Sequence, residues 1–456
     1  FDGRGTLTAS TAFAIASMSD RDITIDTEGT ETDGPRKNQG TIGWNLDLGW
    51  RGETDNGLRY SIAAGGGLFN FTKNLDAPMI VGGPYDLSPR KAVHETGWNV
   101  AAAISQAIND KSRAGVEISA DFNTFNHWRN GNEILASYMA VDNMSSADNE
   151  SQWNNALYWE DLRNGASPKG KTLGLVGLRP YYLLQSGILS MKLGRNLEGS
   201  VNSGTFFHIS PDVNIAINPA ATFGIWLKAT GGEQINTMRS LWDYNRYVDP
   251  LYTYRTSSVP LNGELGLRFG PFKGFWVTLD MGYAIADNWL LPVWDQLSPG
   301  QVAFHEADLR SCKFGGTIHY DYGTIVSAQV SFHTLAGSGV KGSWMEWRDR
   351  ERSRLEAAVS LRPIERLTID LGYTLAMKRK MATVATPLIP LAGQRYEYAD
   401  ISLGDKSDLS VGASWRFSNA FSIFARGENL LNAKNRLTPA YSSIGLTGLV
   451  GLSLKF

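Results

Sequence analysis

Residues 41–64 read TIGWNLDLGWRGETDNGLRYSIAA, and their alternation decides the fold. In the first half, Ile, Leu and Trp occupy every second position from Ile42 to Trp50, while the positions between them are polar or small. Successive side chains of a strand point to opposite faces, so this period of two predicts a strand with one apolar and one polar face. The turn at 54–57 carries an Asn-Gly step, and the alternation resumes at Leu58. The stretch therefore predicts a β-hairpin with two unlike faces.

The same alternation recurs along the whole chain, in about 18 segments of about 10–16 residues each. Strands of soluble proteins are usually only about 5–6 residues long. About fourteen residues, rising about 3.3 Å each and tilted by about 40°, reach about 35 Å, which is enough to cross an outer membrane. The sequence therefore predicts an all-β fold: a transmembrane, antiparallel, up-and-down β-barrel of about 18 strands, within a range of roughly 16 to 22.

The connections between these segments are of two alternating kinds. Every second one is a short turn, such as 53–57 or 109–112. The others are mostly long: 19–39, 72–94, 127–170, 233–257, 287–307 and 379–406. Short periplasmic turns on one rim and long extracellular loops on the other are typical of outer-membrane barrels, and an even strand number places both termini on the periplasmic side. A soluble propeller, sandwich or β-helix has shorter strands and lacks this asymmetry.

Aromatic residues gather at the strand ends beside the short turns. They are Trp50, Tyr60, Phe269, Phe275, Tyr320, Trp415, Phe417 and Phe421. An amphipathic ring at such a position bridges hydrocarbon and headgroups, so this pattern predicts an interfacial girdle.

Composition and charge exclude several classes of protein. The chain of 456 residues contains 1 Cys, which excludes a disulfide framework and a Cys-based zinc site. Its 43 Lys and Arg residues balance 45 Asp and Glu residues, so we expect no nucleic-acid binding through bulk charge. No run of about 18 apolar residues predicts a transmembrane helix. No basic and then apolar leader opens the sequence, so we expect any export signal to be absent from this numbering.

The sequence contains no arrangement that predicts catalysis or a metal site. Its 6 His residues are scattered and lack the spacing of a helical His-Glu-x-x-His pair. Asp142, Asp148 and Glu150 share one loop but lack the spacing of an EF-hand. Ser331 and His333 fall on one face of a strand, a proximity that is common by chance. We therefore expect no enzyme activity, no cofactor and no bound metal.

The last two strands carry the motifs that point to a family. Residues 443–456 read SIGLTGLVGLSLKF, alternate, and end on the aromatic Phe456. This segment resembles the terminal recognition strand of bacterial outer-membrane proteins, although Leu449 stands where that strand often has a polar residue. Residues 421–435, FSIFARGENLLNAKN, resemble the penultimate strand of TonB-dependent receptors, which ends in Asn-Leu followed by Asn or Asp and a basic residue. The resemblance implies an integral protein of the bacterial outer membrane whose Phe456 is an assembly signal.

The beginning of the chain departs from that family. Its members carry an N-terminal plug inside a barrel of about 22 strands. In this sequence the strand pattern starts near residue 5, and neither a plug nor an N-terminal box for a periplasmic energy-transducing partner is visible. We therefore expect residues 1–456 to form a single barrel domain in which no plug domain is detected: either the plug was lost from this chain, or the protein is a plugless relative of the family.

Two functions remain open. The lumen-facing row mixes signs, as in Lys192, Asp212, Lys228 and Glu264, which indicates either a solute path or cross-strand pairing in a hydrated interior. The first interpretation is a channel or transporter for small solutes. The alternative is a plugless barrel that serves as a structural or accessory subunit of a larger outer-membrane complex. The expected partners are outer-membrane lipid, the assembly machinery and, through the long loops, other outer-membrane proteins.

Two of the long loops are dense in aromatic residues. The candidate contact residues are Trp242, Tyr244, Tyr247, Tyr252 and Tyr254 in one loop, and Trp153 and Trp159 in the other. Such rings can stack on a sugar or dock a partner protein. The alternative is that each loop packs on itself.

Overall fold

The structure is a computed structural model. It describes residues 5–25, 31–74, 90–127, 171–201, 206–248, 256–294, 302–336, 351–386, 397–439, 441–443 and 445–454. These ranges contain twenty β-strands and one short α-helix. No helix within them is long and apolar enough to span a membrane.

The strands follow one another along the chain with few interruptions. They are β1 (Gly5–Ile25), β2 (Glu31–Glu53), β3 (Leu58–Asn74), β4 (Arg90–Asn109), β5 (Ser112–His127), β6 (Lys171–Ser186), β7 (Leu189–Val201), β8 (Phe207–Ala220), β9 (Phe223–Ile235), β10 (Thr256–Phe272), β11 (Phe275–Trp294), β12 (Val302–Tyr322), β13 (Val326–Ala336), β14 (Ser353–Ile364), β15 (Leu367–Met377), β16 (Lys380–Thr386), β17 (Glu397–Ser402), β18 (Lys406–Arg416), β19 (Phe421–Glu428) and β20 (Thr447–Leu454). The helix α1 (Met238–Tyr244) lies between β9 and β10.

The topology is up-and-down and antiparallel. Each strand from β1 to β15 pairs with its neighbour in the chain, and β15 then pairs with β18, β18 with β19 and β19 with β20. The remaining two strands, β16 and β17, pair with each other outside this order, so eighteen strands form the wall. This confirms the predicted barrel architecture. Within the described residues no ladder joins β1 to β20.

One connection that the sequence predicts as a loop, 379–406, contains the hairpin β16–β17. Its two strands have only 7 and 6 residues, too few for the alternation to distinguish them from a polar loop. The hairpin meets the far end of β11, where Val293 and Trp294 pair in parallel with β16. Met381 and Ala382 of β16 are buried there.

Two further long connections, 19–39 and 287–307, consist mostly of strand. The strand β11 continues to Trp294 and β12 already begins at Val302. The ladder between them shifts register after Ala286, next to Asn288, whose φ is 52°. A bulge of this kind breaks the period of two while the strand continues, which is why the sequence pattern stops too early.

The two faces of the wall differ as the alternation predicts. Leu279 and Leu371 are exposed on the outer face, in the apolar row that faces lipid in a membrane barrel. Asp280 points into the lumen, 3.9 Å from Lys313 Nζ and 3.4 Å from His333 Nε2. The lumen is therefore polar at this level.

Aromatic pairs follow the short-turn rim. Ring centroids lie 5.0 Å apart for Trp50 and Tyr60, and 5.3 Å apart for Phe417 and Phe421. Phe275 pairs with Tyr320 across β11 and β12, and both are exposed. These positions agree with the predicted girdle.

Candidate functional site

A stretch of the β9–β10 connection, residues 236–248, folds into the lumen; we call it the lumenal segment. It contains α1, whose N-cap Thr237 accepts a hydrogen bond from the Ser240 N–H, while the Ser240 hydroxyl oxygen accepts one from the Thr237 N–H. Such a reciprocal cap satisfies two N–H groups that a short helix would otherwise leave unpaired. Met238, Leu241 and Trp242 are buried, and their spacing gives the helix one apolar face.

The N-terminus of α1 is fixed to the wall at β4. The Met238 N–H donates to Glu95 Oε2 at 2.7 Å, and Glu95 is only 6% exposed. A carboxylate at a helix N-terminus is favoured by the helix dipole, and hydrogen bonds to charged groups are the stronger ones. Arg239 reaches down the wall, where its Nη1 donates to Asn45 Oδ1 of β2 at 2.6 Å. Two strands of one side of the wall, β4 and β2 on either side of β3, therefore hold the start of the helix.

The end of α1 touches the same side of the wall. Gln39 Nε2 of β2 donates to the carbonyl oxygen of Arg246 at 2.8 Å. The Arg246 guanidinium lies 4.5 Å from the centroid of the Trp242 ring, a cation–π distance. The Trp242 ring in turn lies 6.1 Å from that of Phe69 on β3.

The other end of the lumenal segment contacts the opposite side of the wall. The Val302 N–H of β12 donates to the Tyr247 carbonyl oxygen at 2.9 Å, and Tyr244 meets Phe304 edge to face at 5.9 Å. The Tyr247 ring stacks on Tyr441, which follows β19, with centroids 3.9 Å apart. Because β12 is the eighth strand after β4 in a wall of eighteen, the segment crosses the lumen from side to side.

An apolar layer surrounds this crossing. We use that name for the buried cluster of Phe69, Phe71, Val93, Phe125, Leu173, Met238, Leu241, Trp242, Val248, Leu290, Val302, Phe304, Met381 and Leu403. Its members come from the lumenal faces of β3 to β6, from the lumenal segment, from β11 and β12, and from the β16–β17 region. The interior of a large membrane barrel is ordinarily polar, so this layer marks the level at which the lumen is packed with protein.

Below the apolar layer, charged side chains pair across strands. Lys192 Nζ lies 2.6 Å from Asp212 Oδ2, and Lys228 Nζ lies 3.6 Å from Glu264 Oε1. These contacts agree with the cross-strand pairing that the sequence left open. Both signs are present and partly exposed, so this part of the lumen is hydrated without a dominant charge.

A buried carboxylate organises the long-loop end of β7 to β9. Glu198 is 1% exposed; its Oε1 lies 3.1 Å from Arg179 Nη2, and its Oε2 accepts the Glu233 N–H. The Asn196 amide donates to the Gly231 carbonyl oxygen at 2.8 Å. Both contacts hold the end of β9 where its ladder to β10 shifts register. A bulge bends its strand, and here it lies just before the chain enters the lumen.

The predicted contact residues occupy different environments. Trp242 is buried in the apolar layer, Tyr247 is half-buried against Tyr441, and Tyr244 is 47% exposed. Tyr252, Tyr254, Trp153, Trp159 and Phe456 lie outside the described residues. Among the described residues no group of three or more His, Cys, Asp or Glu side chains is arranged to hold a metal.

Sequence reasoning missed Glu95, Gln39 and Asn45, which hold the lumenal segment. The available signal was indirect: Phe69 and Phe71 occupy the row of β3 that should face a polar lumen. Large apolar residues on both faces at the end of a strand indicate that another segment of the protein packs there on the lumenal side.

No family model and no curated protein matches the chain. Solved structures do match it. It aligns with the siderophore receptor PirA of Acinetobacter baumannii at 11% identity and a TM-score of 0.64, over 98% of this chain and 68% of that one. A mutant of the ferric enterobactin receptor PfeA of Pseudomonas aeruginosa matches at 11% identity and a TM-score of 0.67, over 100% and 68%. The F5-1 variant of the FrpB iron transporter of Neisseria meningitidis matches at 12% identity and 0.66, over 100% and 71%.

The fold is that of a TonB-dependent receptor barrel. This agrees with the resemblance of the last two strands, although the structural match extends over the whole chain. At 11–12% identity the likeness concerns the fold alone, because one fold hosts many functions.

Proposed function

We propose that the protein is an integral barrel of the bacterial outer membrane that passes small solutes through its lumen. The observation that carries the proposal is the contrast between the two faces of the wall. The outer row is apolar and exposed, as at Leu279 and Leu371, while the inner row bears partly exposed charge pairs such as Lys228 and Glu264. Barrels of about 16–18 strands leave an aqueous channel, and eighteen of the described strands form this wall.

The structural neighbours support transport over catalysis. PirA and PfeA are receptors for a siderophore and for ferric enterobactin, and FrpB is an iron transporter. In this proposal residues 1–456 form one barrel domain, the outer row contacts lipid, and the assembly machinery reads Phe456. The aromatic loop residues, Tyr244 among them, are proposed contacts for a ligand or another outer-membrane protein.

The alternative function, a structural or accessory subunit of a larger complex, also has an observation in its favour. The lumenal segment and the apolar layer pack protein across the lumen, which suits a barrel that does not conduct. Conductance therefore discriminates between the two functions, since a structural subunit has no need of a pore.

The test is conductance of the purified barrel in planar bilayers. We expect discrete channel events with similar permeability to cations and anions, because the lumenal charges are balanced. Lys228→Glu, which adds negative charge to the lumen beside Glu264, should shift the permeability toward cations. Lys273→Glu is the matched control, since Lys273 is exposed in the β10–β11 turn. A folded barrel that stays silent under all conditions, with each variant, would favour the structural subunit.

A further inference from the structure

We propose that the lumenal segment, residues 236–248, is a gate that closes the lumen near its long-loop end, with Glu95 as its latch. The proposal rests on the transport function proposed above. It adds a conformational change to that function: the segment lies across the lumen in the closed state and swings away from β4 in the open state.

The closed position is defined by contacts at both sides of the lumen. On one side Glu95 and Asn45 hold the start of α1, and on the other side β12 pairs with the end of the segment through Val302. Between them, Leu241 and Trp242 are buried in the apolar layer. A solute that travels through the lumen therefore meets packed side chains at this level.

The segment is held mainly by side-chain contacts, whereas the wall is held by continuous strand ladders. Its only ladder contact in the described residues is the single parallel bridge between Val248 and Val302. The helix α1 has 7 residues, and isolated helices shorter than about 12–15 residues are marginal in water. Its position therefore depends largely on side-chain contacts with the wall, and of its hydrogen bonds to Glu95, Asn45 and Gln39 the one to Glu95 is buried at both ends.

The closed state also leaves polar atoms of the segment and of the adjoining wall without partners. Gln39 Oε1, Trp242 Nε1 and Asn245 Nδ2 are buried and have no hydrogen-bond partner among the described residues. An unpaired buried donor or acceptor destabilises the arrangement that buries it. Movement of the segment away from β2 to β4 returns these atoms to water, which favours the open state.

Glu95 is the contact whose loss should favour the open state most. Glu95→Ala removes a charged hydrogen-bond acceptor from the Met238 N–H, a change that corresponds to about tenfold or more in the ratio of open to closed channels. Glu117→Ala is the matched control, because Glu117 is also a lumenal carboxylate but lies farther toward the short-turn rim on β5. A third variant replaces residues 237–247 with a Gly-Ser linker of equal length.

Single-channel recording in planar bilayers tests the gate. We expect the open fraction to rise about tenfold for Glu95→Ala, to become largest for the linker variant, and to stay at the wild-type value for Glu117→Ala. Equal open fractions in wild type and linker variant would refute the gate while leaving the transport function intact. Silence of every variant, including the folded linker variant, would instead refute the transport function.

A tethering experiment keeps the proposal testable if the linker variant fails to fold. In a Cys312→Ser background, Asn45→Cys and Arg239→Cys place one thiol on the wall and one on α1, at positions whose native side chains touch. A short bis-methanethiosulfonate cross-linker should lower the open fraction, and a reducing agent should restore it. A cross-linked barrel with unchanged openings would overturn the proposal, because the tether prevents the movement.

Discussion

Introducing a charge on the lipid-facing row at Leu371 provides a direct test of the proposed membrane orientation. Leu371 is 38% exposed on β15, and it lies four residues beyond Leu367, which pairs with the girdle residue Trp415. Four residues at about 3.3 Å each and a tilt of about 40° place it about 10 Å above the girdle. The apolar band of such barrels is about 25 Å tall, so Leu371 lies near its midplane.

Leu371→Arg should therefore incur close to the full penalty for a midplane charge. That penalty is about 2–4 kcal/mol, which corresponds to about a 30- to 900-fold loss in the folding equilibrium constant. Asp370→Arg is the matched control, because the neighbouring residue faces the lumen between Ser360 and Gly412, where a guanidinium stays hydrated. The assay is urea unfolding in lipid vesicles, followed by Trp fluorescence. Equal losses for Leu371→Arg and Asp370→Arg would show that the two faces are misassigned.

Three further predictions concern assembly and packing. Deletion of Phe456 should lower the amount of barrel in the membrane, while the fraction that does assemble keeps its heat resistance on gels. The reason is that burial of one terminal ring stabilises the barrel by at most about 3 kcal/mol. Gly266→Ala should lower stability by about 1–3 kcal/mol in the same urea assay, because the added Cβ overlaps the Trp226 ring. Gly448→Ala is the control and should have little effect, because there is open space around Gly448. Glu198→Ala should cost about 1–3 kcal/mol, because a buried N–H loses its acceptor; an unchanged midpoint would contradict the role of that carboxylate.

The wall of the barrel was predictable because each strand repeats the same local rule. Leu371 and Asp370 point to opposite faces simply because they are adjacent in a strand, and their neighbours on β14 and β18 follow the same rule. Eighteen repetitions of that rule fix the faces, the turn positions and the strand number. The motif in residues 421–435 added the family resemblance, which the structural match to receptor barrels supports.

The contents of the lumen were not predictable in the same way. The bond between the Met238 N–H and Glu95 joins residues 143 positions apart in the sequence, and nothing local to either residue requires it. The lumenal segment contains a good capping box, but a capped helix of 7 residues suits an external loop as well as an internal one. The hairpin β16–β17 was missed for a similar reason, since its short strands gain their order from contact with β11.

Phe69, Phe71 and Phe125 connect the strand pattern of the sequence with the packing inside the lumen. On β3 and β5 the alternation assigns these rings to a lumen that should be wet, which is costly for an aromatic side chain exposed to water. The structure resolves the conflict, because all three are buried against the lumenal segment and its neighbours. A local break in the polar row of a barrel strand is thus a signal for an inward-folded segment. By the same reasoning, the polar row below this level, with Lys192 and Asp212 in contact, lies where the lumen holds water.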